Sequence, residues 1–125
     1  RIYHFNKFDM TPNEYQQLAA RTLIDVPNFQ ITDQEVMIAW TAIGLAGEAG
    51  ECAEHVKKQV FHRVELDPLK MKKELGDVLW YLSALAKQFG FTLEEIMEHN
   101  IEKLKARYPD GFSSERSMFR EGQAQ

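Results

Sequence analysis

The stretch GLAGEAGECAEHVKK, residues 44–58, reads as helix, yet it holds three glycines, Gly44, Gly47 and Gly50, and three glutamates, Glu48, Glu51 and Glu54. Each interior glycine costs a helix roughly 0.5–1 kcal/mol relative to alanine. Carboxylates recurring every third residue repel across adjoining helix surface. Both features need an account beyond helix propensity. Around them, Ala39, Ala42, Ala46, Ala49, Ala53 and Val56 step by three and four residues. Such a seam of small side chains lets another helix approach closely, and the glycines share that logic.

Working outward, helix signals dominate and no segment alternates as a strand. TPNEYQQLAARTL (11–23) opens with Thr11 as N-cap, Pro12 at the first helical position and Glu14 closing a capping box. This predicts a first helix ending near Ile24. TDQE (32–35) carries a second capping box and predicts a helix to about Val60. Asp67 and Pro68 start a third helix that runs to Phe89 and Gly90, where glycine is the expected stop. TLEE (92–95) opens a fourth, with Leu93, Ile96, Met97, Ile101 and Leu104 on one face and YPDG (108–111) at its end. The expectation is an all-α, four-helix-bundle-type fold in one domain over 1–125, with core helices over about 11–108 and a polar C-terminal arm over about 112–125, extended or partly disordered.

In the third helix, Leu75, Val78, Leu79, Leu82, Leu85 and Phe89 form one side, while Trp80 points nearly opposite with Ala84 beside it. A helix wet on that side has no use for an exposed tryptophan, so self-association burying Trp80 is expected, with burial inside one chain under the N-terminal segment or the tail as the alternative. The net charge of -4 lacks the basic excess that phosphate-backbone binding calls for, which argues against nucleic acid as a partner. A lone cysteine, Cys52, with no apolar leader and no long apolar run, argues for a reducing, cytoplasmic setting and against membrane insertion.

Glu48 and Glu51 lie about 60° apart on the second helix, on the side away from the alanine seam. In KKELGDVLWYL (72–82) the spacing returns with Glu74 and Asp77, and Tyr81 follows on the same stripe. One such pair is ordinary helix surface. Two pairs on helices joined by six or seven residues, FHRVELD (61–67), flank the core of antiparallel neighbours. Two like charges 4 Å apart repel by ~4 kcal/mol at the effective dielectric near a protein surface. Four convergent carboxylates therefore require a cation or raised pKa values. Ligation by oxygen alone, with no histidine or cysteine at ligand spacing, selects Mg²⁺ or Mn²⁺ over zinc. A di-iron bundle needs Glu-x-x-His, whereas His55 follows Glu51, and His99 follows Glu95, by four. Asn100, Lys103 and Arg107, at i, i+3 and i+7, are candidates for holding phosphate, with Lys58 a further one; a solvated edge is the plainer reading of the same residues.

GEAGE (47–51), KELGDVLWYL (73–82) and NIEKLKARYPDGF (100–112) together resemble the MazG-like nucleoside triphosphate pyrophosphohydrolases, an all-α superfamily, over most of the chain. The resemblance implies metal ligation by Glu48, Glu51, Glu74 and Asp77, phosphate contacts from Asn100 and Lys103 with Arg107 and Tyr108 less securely matched, and nucleoside contacts from Tyr81 and Trp40. It implies conversion of a (d)NTP and water to (d)NMP and pyrophosphate by Mg²⁺-activated water (Mn²⁺ a substitute), with Glu48 or Glu51 orienting or deprotonating that water, in a homodimer or homotetramer. Gly47 stands where the family's first motif often has a further glutamate, and Glu54 is a candidate to supply that acid. The alternative is a non-catalytic helical dimer that binds metal or nucleotide as a regulatory or interaction module. Nothing in the residues selects a base or a sugar.

Overall fold

The N-cap geometry determines where each helix begins. In the computed structural model, which describes residues 9–23 and 29–118 apart from the side chains of Arg116 and Met118, α1 spans Pro12–Ala19 and continues as a 3-10 turn over Ala20–Thr22. The Thr11 hydroxyl accepts from the Glu14 N–H at 3.2 Å, and the Glu14 carboxylate accepts from the Thr11 N–H at 2.8 Å. These reciprocal bonds satisfy two backbone donors that a helix start otherwise leaves open. The expected end at Ile24 lies outside the described residues. The chain divides into two compact units, Arg1–Ile31, which holds α1, and Thr32–Gln125.

The second unit contains α2 (Asp33–Phe61), α3 (Pro68–Gln88), α4 (Leu93–Arg107) and α5 (Ser114–Met118). Thr32–Glu35 and Thr92–Glu95 repeat the capping box at the starts of α2 and α4. Asp67 caps α3 by accepting from the Leu69 N–H at 2.9 Å. At the other end of α3, Gly90 takes the left-handed conformation (φ 74°), and the Gly90 and Phe91 N–H groups donate to the Lys87 and Ala86 carbonyls, both at 3.0 Å. That is a Schellman closure, which favours glycine at this position. The five-residue α5 lies where the sequence shows no period. Among the described residues there is no strand, and the fold is all-α.

Within this unit the extensive packing is α2 against α3. The Gln34 side-chain amide donates to the Gln88 carbonyl at 3.3 Å, Trp40 meets Tyr81, and His55 meets Glu74, so the two helices run antiparallel. On α2 the partly or fully buried stripe is Ile38, Thr41, Gly44, Leu45, Glu48, Cys52 and His55; on α3 it includes Met71, Glu74, Val78, Tyr81, Leu82 and Leu85. Spacings of three and four on both helices make this a single interdigitated seam. Thr41 is wholly buried and its hydroxyl donates back to the Met37 carbonyl at 2.8 Å, which removes the cost of an unpaired polar group there.

Two expectations are modified. The alanine seam of α2 is solvent-exposed in this chain, because α3 packs on the neighbouring stripe instead. On α3, Leu75, Leu79 and Phe89 are more than half exposed, whereas Val78, Leu82 and Leu85 are half-buried. A two-helix layer has one inner face, and half of the apolar surface of α3 lies beyond it.

Gly44 has a specific reason. A Cβ built there falls against the ring of Tyr81, 2.6 Å from Cζ, so only glycine leaves room for that ring on the α2 backbone. At Gly47 a Cβ meets nothing within 4 Å. Gly44→Ala is therefore expected to lower stability by about 1–3 kcal/mol through overpacking, while Gly47→Ala raises it by about 0.5–1 kcal/mol through helix propensity. Thermal melts of the two variants beside the parent check this; equal effects would contradict it.

Candidate functional site

The α2–α3 seam is apolar except where it brings carboxylates together. Glu48 from α2 and Glu74 and Asp77 from α3 each offer an oxygen within 4.8 Å of the others. A second group, Glu51 and His55 from α2 with Glu74 from α3, converges within the same limit. Glu74 belongs to both. Its carboxylate lies 3.3 Å from His55 Nε2, with both side chains about three-quarters covered (23% and 25% exposed). The helix periodicity explains the arrangement. Glu48, Glu51 and His55 follow at i, i+3 and i+7 on one helix, and Glu74 and Asp77 at i and i+3 on the other.

The electrostatics record the crowding. Partial desolvation, then the charge of Asp77, a hydrogen bond with Glu74 and the charges of Glu74 and Glu51 hold the Glu48 carboxyl above its ordinary value of 4.5. Glu54 behaves oppositely. Its hydrogen bond with Lys57 at 2.9 Å, with the charges of Lys57, Lys58 and His62, holds it below the ordinary value against desolvation. Glu54 belongs to neither convergent group and pairs with Lys57 instead.

The raised Glu48 pKa has a testable sign. Above the ordinary carboxylate value the metal-free folded chain holds more proton at this position than the unfolded chain, so stability is lost as pH rises through that window. Glu48→Gln is thus expected to melt above the parent near about pH 7 and level with it near about pH 4 without metal. Mg²⁺ should reverse the order near neutrality. Melting curves across pH with EDTA or Mg²⁺ check both statements; a variant that melts below the metal-free parent at neutral pH would contradict them.

Trp40, Trp80 and Tyr81 form an edge-on aromatic cluster on the same two helices. The ring centroids of Trp40 are 6.1 Å from those of both Trp80 and Tyr81, and Trp80 and Tyr81 are 4.9 Å apart. Trp80 thus has a partner on α2 within the chain, but 55% of it stays exposed. Lys58 pairs with Glu54 at 3.9 Å rather than with the convergent carboxylates. Asn100 and Lys103 are exposed on α4 and Arg107 is half-covered there; among the described residues α4 has no extensive packing against α2 or α3. Tyr108 stacks loosely on Phe112, with centroids 5.7 Å apart.

Two features escape a reading from sequence. His55 is set aside there because its i, i+4 spacing from Glu51 fails the di-iron pattern, yet it reaches Glu74 across the helix pair. The signal was present in that same spacing, which places two ligands on one helix face. The seat of Tyr81 at Gly44 depends on interhelical register, which no local pattern carries.

An all-α chain with acidic side chains meeting between two antiparallel helices defines a class of helical proteins with a candidate cation site. The family model for the MazG nucleotide pyrophosphohydrolase domain matches residues 38–112, which include all of the residues just described from α2 and α3. The chain is also 35% identical over 101 residues to the Gene 37 protein of Mycobacterium phage L5, covering 76% of this chain and 87% of that protein. No solved structure matches it. This chain belongs to the MazG nucleotide pyrophosphohydrolase family.

Proposed function

We propose that the protein is a Mg²⁺-dependent nucleoside triphosphate pyrophosphohydrolase, converting a (d)NTP and water to a (d)NMP and pyrophosphate. The observation that supports this most is the convergence of Glu48, Glu74 and Asp77 between α2 and α3. The donor set suits a hard divalent ion: three carboxylates, Glu48 and Glu74 half-buried and Asp77 exposed. Such an ion, when bound, supplies charge to the phosphate oxygens and acidifies water. Glu48, Glu51, Glu74 and Asp77 would hold it. Glu48 or Glu51 would orient the attacking water or take its proton.

The aromatic cluster offers the nucleoside a surface. Trp40 is 48% exposed, and Tyr81 is fixed on Gly44, so a base meets a preset face there. Asn100, Lys103 and Arg107 supply polar and cationic groups for the phosphates, with Lys58 at the rim.

The same reading includes self-association as a homodimer or homotetramer, in a reducing cytoplasmic setting. Ile43, Val56, Val60, Leu75, Leu79 and Trp80 are each at least 46% exposed along the outer faces of α2 and α3. The alanine seam between them gives a second copy close approach.

Incubation with a panel of canonical and modified NTPs and dNTPs tests the proposal. Turnover that stops with EDTA and returns with Mg²⁺ is expected, and the order of rates identifies the base and sugar. Nucleotide binding without turnover of any member would favour the regulatory module instead.

A further inference from the structure

We infer that His55 is itself a metal ligand, so that Glu51, His55 and Glu74 take a transition ion such as Mn²⁺, Co²⁺ or Zn²⁺ in preference to Mg²⁺. The inference rests on the reading of the carboxylate cluster as a cation site and changes which ion that site favours. Three donors meet within 4.8 Å, two anionic and one imidazole, from two different helices. Ligand atoms at opposite corners of an octahedral site with bonds of about 2.1 Å lie about 4.2 Å apart. The three donors, within 4.8 Å of one another, would close to such separations by side-chain rotation onto a common ion.

The chemistry of the set differs from its neighbour. Glu48, Glu74 and Asp77 offer oxygen alone, which Mg²⁺ accepts. An imidazole nitrogen suits ions of borderline softness, and Mg²⁺ gains little from it. Glu51 and His55, at i and i+4, are presented together by one rigid helix, so little ordering is needed on binding. The His55–Glu74 separation of 3.3 Å is longer than the usual N–H···O contact of about 2.9–3.0 Å. In the metal-free chain Nε2–H donates to that carboxylate; with the ring proton on Nδ1 instead, the Nε2 lone pair would be turned to an ion held between the two groups.

The test uses the full chain loaded with Mn²⁺ alone and read by electron spin-echo modulation, beside His55→Leu. Modulation from a coordinated imidazole ¹⁴N is expected in the parent and absent in the variant. The preference for Mn²⁺ over Mg²⁺ in competition titrations should fall by at least about tenfold. Because the parent spectrum alone reports nitrogen coordination, a misfolded variant does not remove the test. Bound Mn²⁺ with no ¹⁴N modulation in the parent, or modulation that persists in a folded variant, would overturn the role of His55 while leaving the acidic site intact. No Mn²⁺ binding at all would overturn both.

Discussion

Glu74→Gln is expected to lower kcat/KM for the preferred triphosphate by about 10²–10³-fold or more, with helical content unchanged by circular dichroism. Glu74 is the carboxylate common to both convergent groups, and it contacts His55 while bonding to Glu48. Its loss leaves Glu48 with Asp77 alone and Glu51 with His55 alone, two donors where three were gathered. Glu51→Gln and Asp77→Asn, each belonging to one group, should also abolish turnover. Glu54→Gln serves as the control. It bears the same charge on the same helix three residues from Glu51, but it is paired with Lys57, so activity should stay within about twofold of the parent, the scale of an ordinary surface change. Near-parental activity in Glu74→Gln would remove the carboxylate cluster from the chemistry.

The second large effect is on assembly. Ala46→Asp places a charge in the middle of the alanine seam, where the account puts a second copy of the chain. Burying an unpaired charge costs about 3–5 kcal/mol, and in a chain of this size each kcal/mol shifts Tm by about 4–8 °C. A drop of at least about 10 °C and a shift to monomer in light scattering are expected, with Tm of the parent rising with concentration. The reason for so large an effect is the poverty of the single chain's interior. Among the described residues, Ala86 and Thr41 are the buried ones. If Ala46→Asp stays as stable and as associated as the parent, the outer faces of α2 and α3 are not joined to anything.

How much of this was legible in the sequence depended on range. Each capping box, Thr11–Glu14, Thr32–Glu35 and Thr92–Glu95, lies within four residues, and the pattern of Ser/Thr followed by Glu is itself the hydrogen-bonding geometry. Gly90 marked the end of α3 for the same local reason. The all-α fold followed from such signals. The carboxylate pairs were legible as stripes, because i, i+3 spacing determines a helix face. Which stripe meets α3 was not, since register is set by how Tyr81 lodges on Gly44 and how Glu48 lies against Glu74. His55 was lost at that step, as was the outward turn of the alanine seam. The place of α4 was harder still, for Leu93 and Ile96 are half-buried while Met97, Ile101 and Leu104 remain at least 40% exposed, and among the described residues the extensive helix packing is α2 on α3.

The bond that is broken tests the central claim most directly. ³¹P NMR of the preferred dNTP, incubated with the protein and Mg²⁺, distinguishes the products in one spectrum. A phosphomonoester signal and a pyrophosphate signal of twice its area are expected to grow together, equimolar products with one and two phosphorus atoms, and neither in the presence of EDTA. Orthophosphate with a nucleoside diphosphate, or an unchanged triphosphate in the presence of folded, metal-loaded protein, would contradict it.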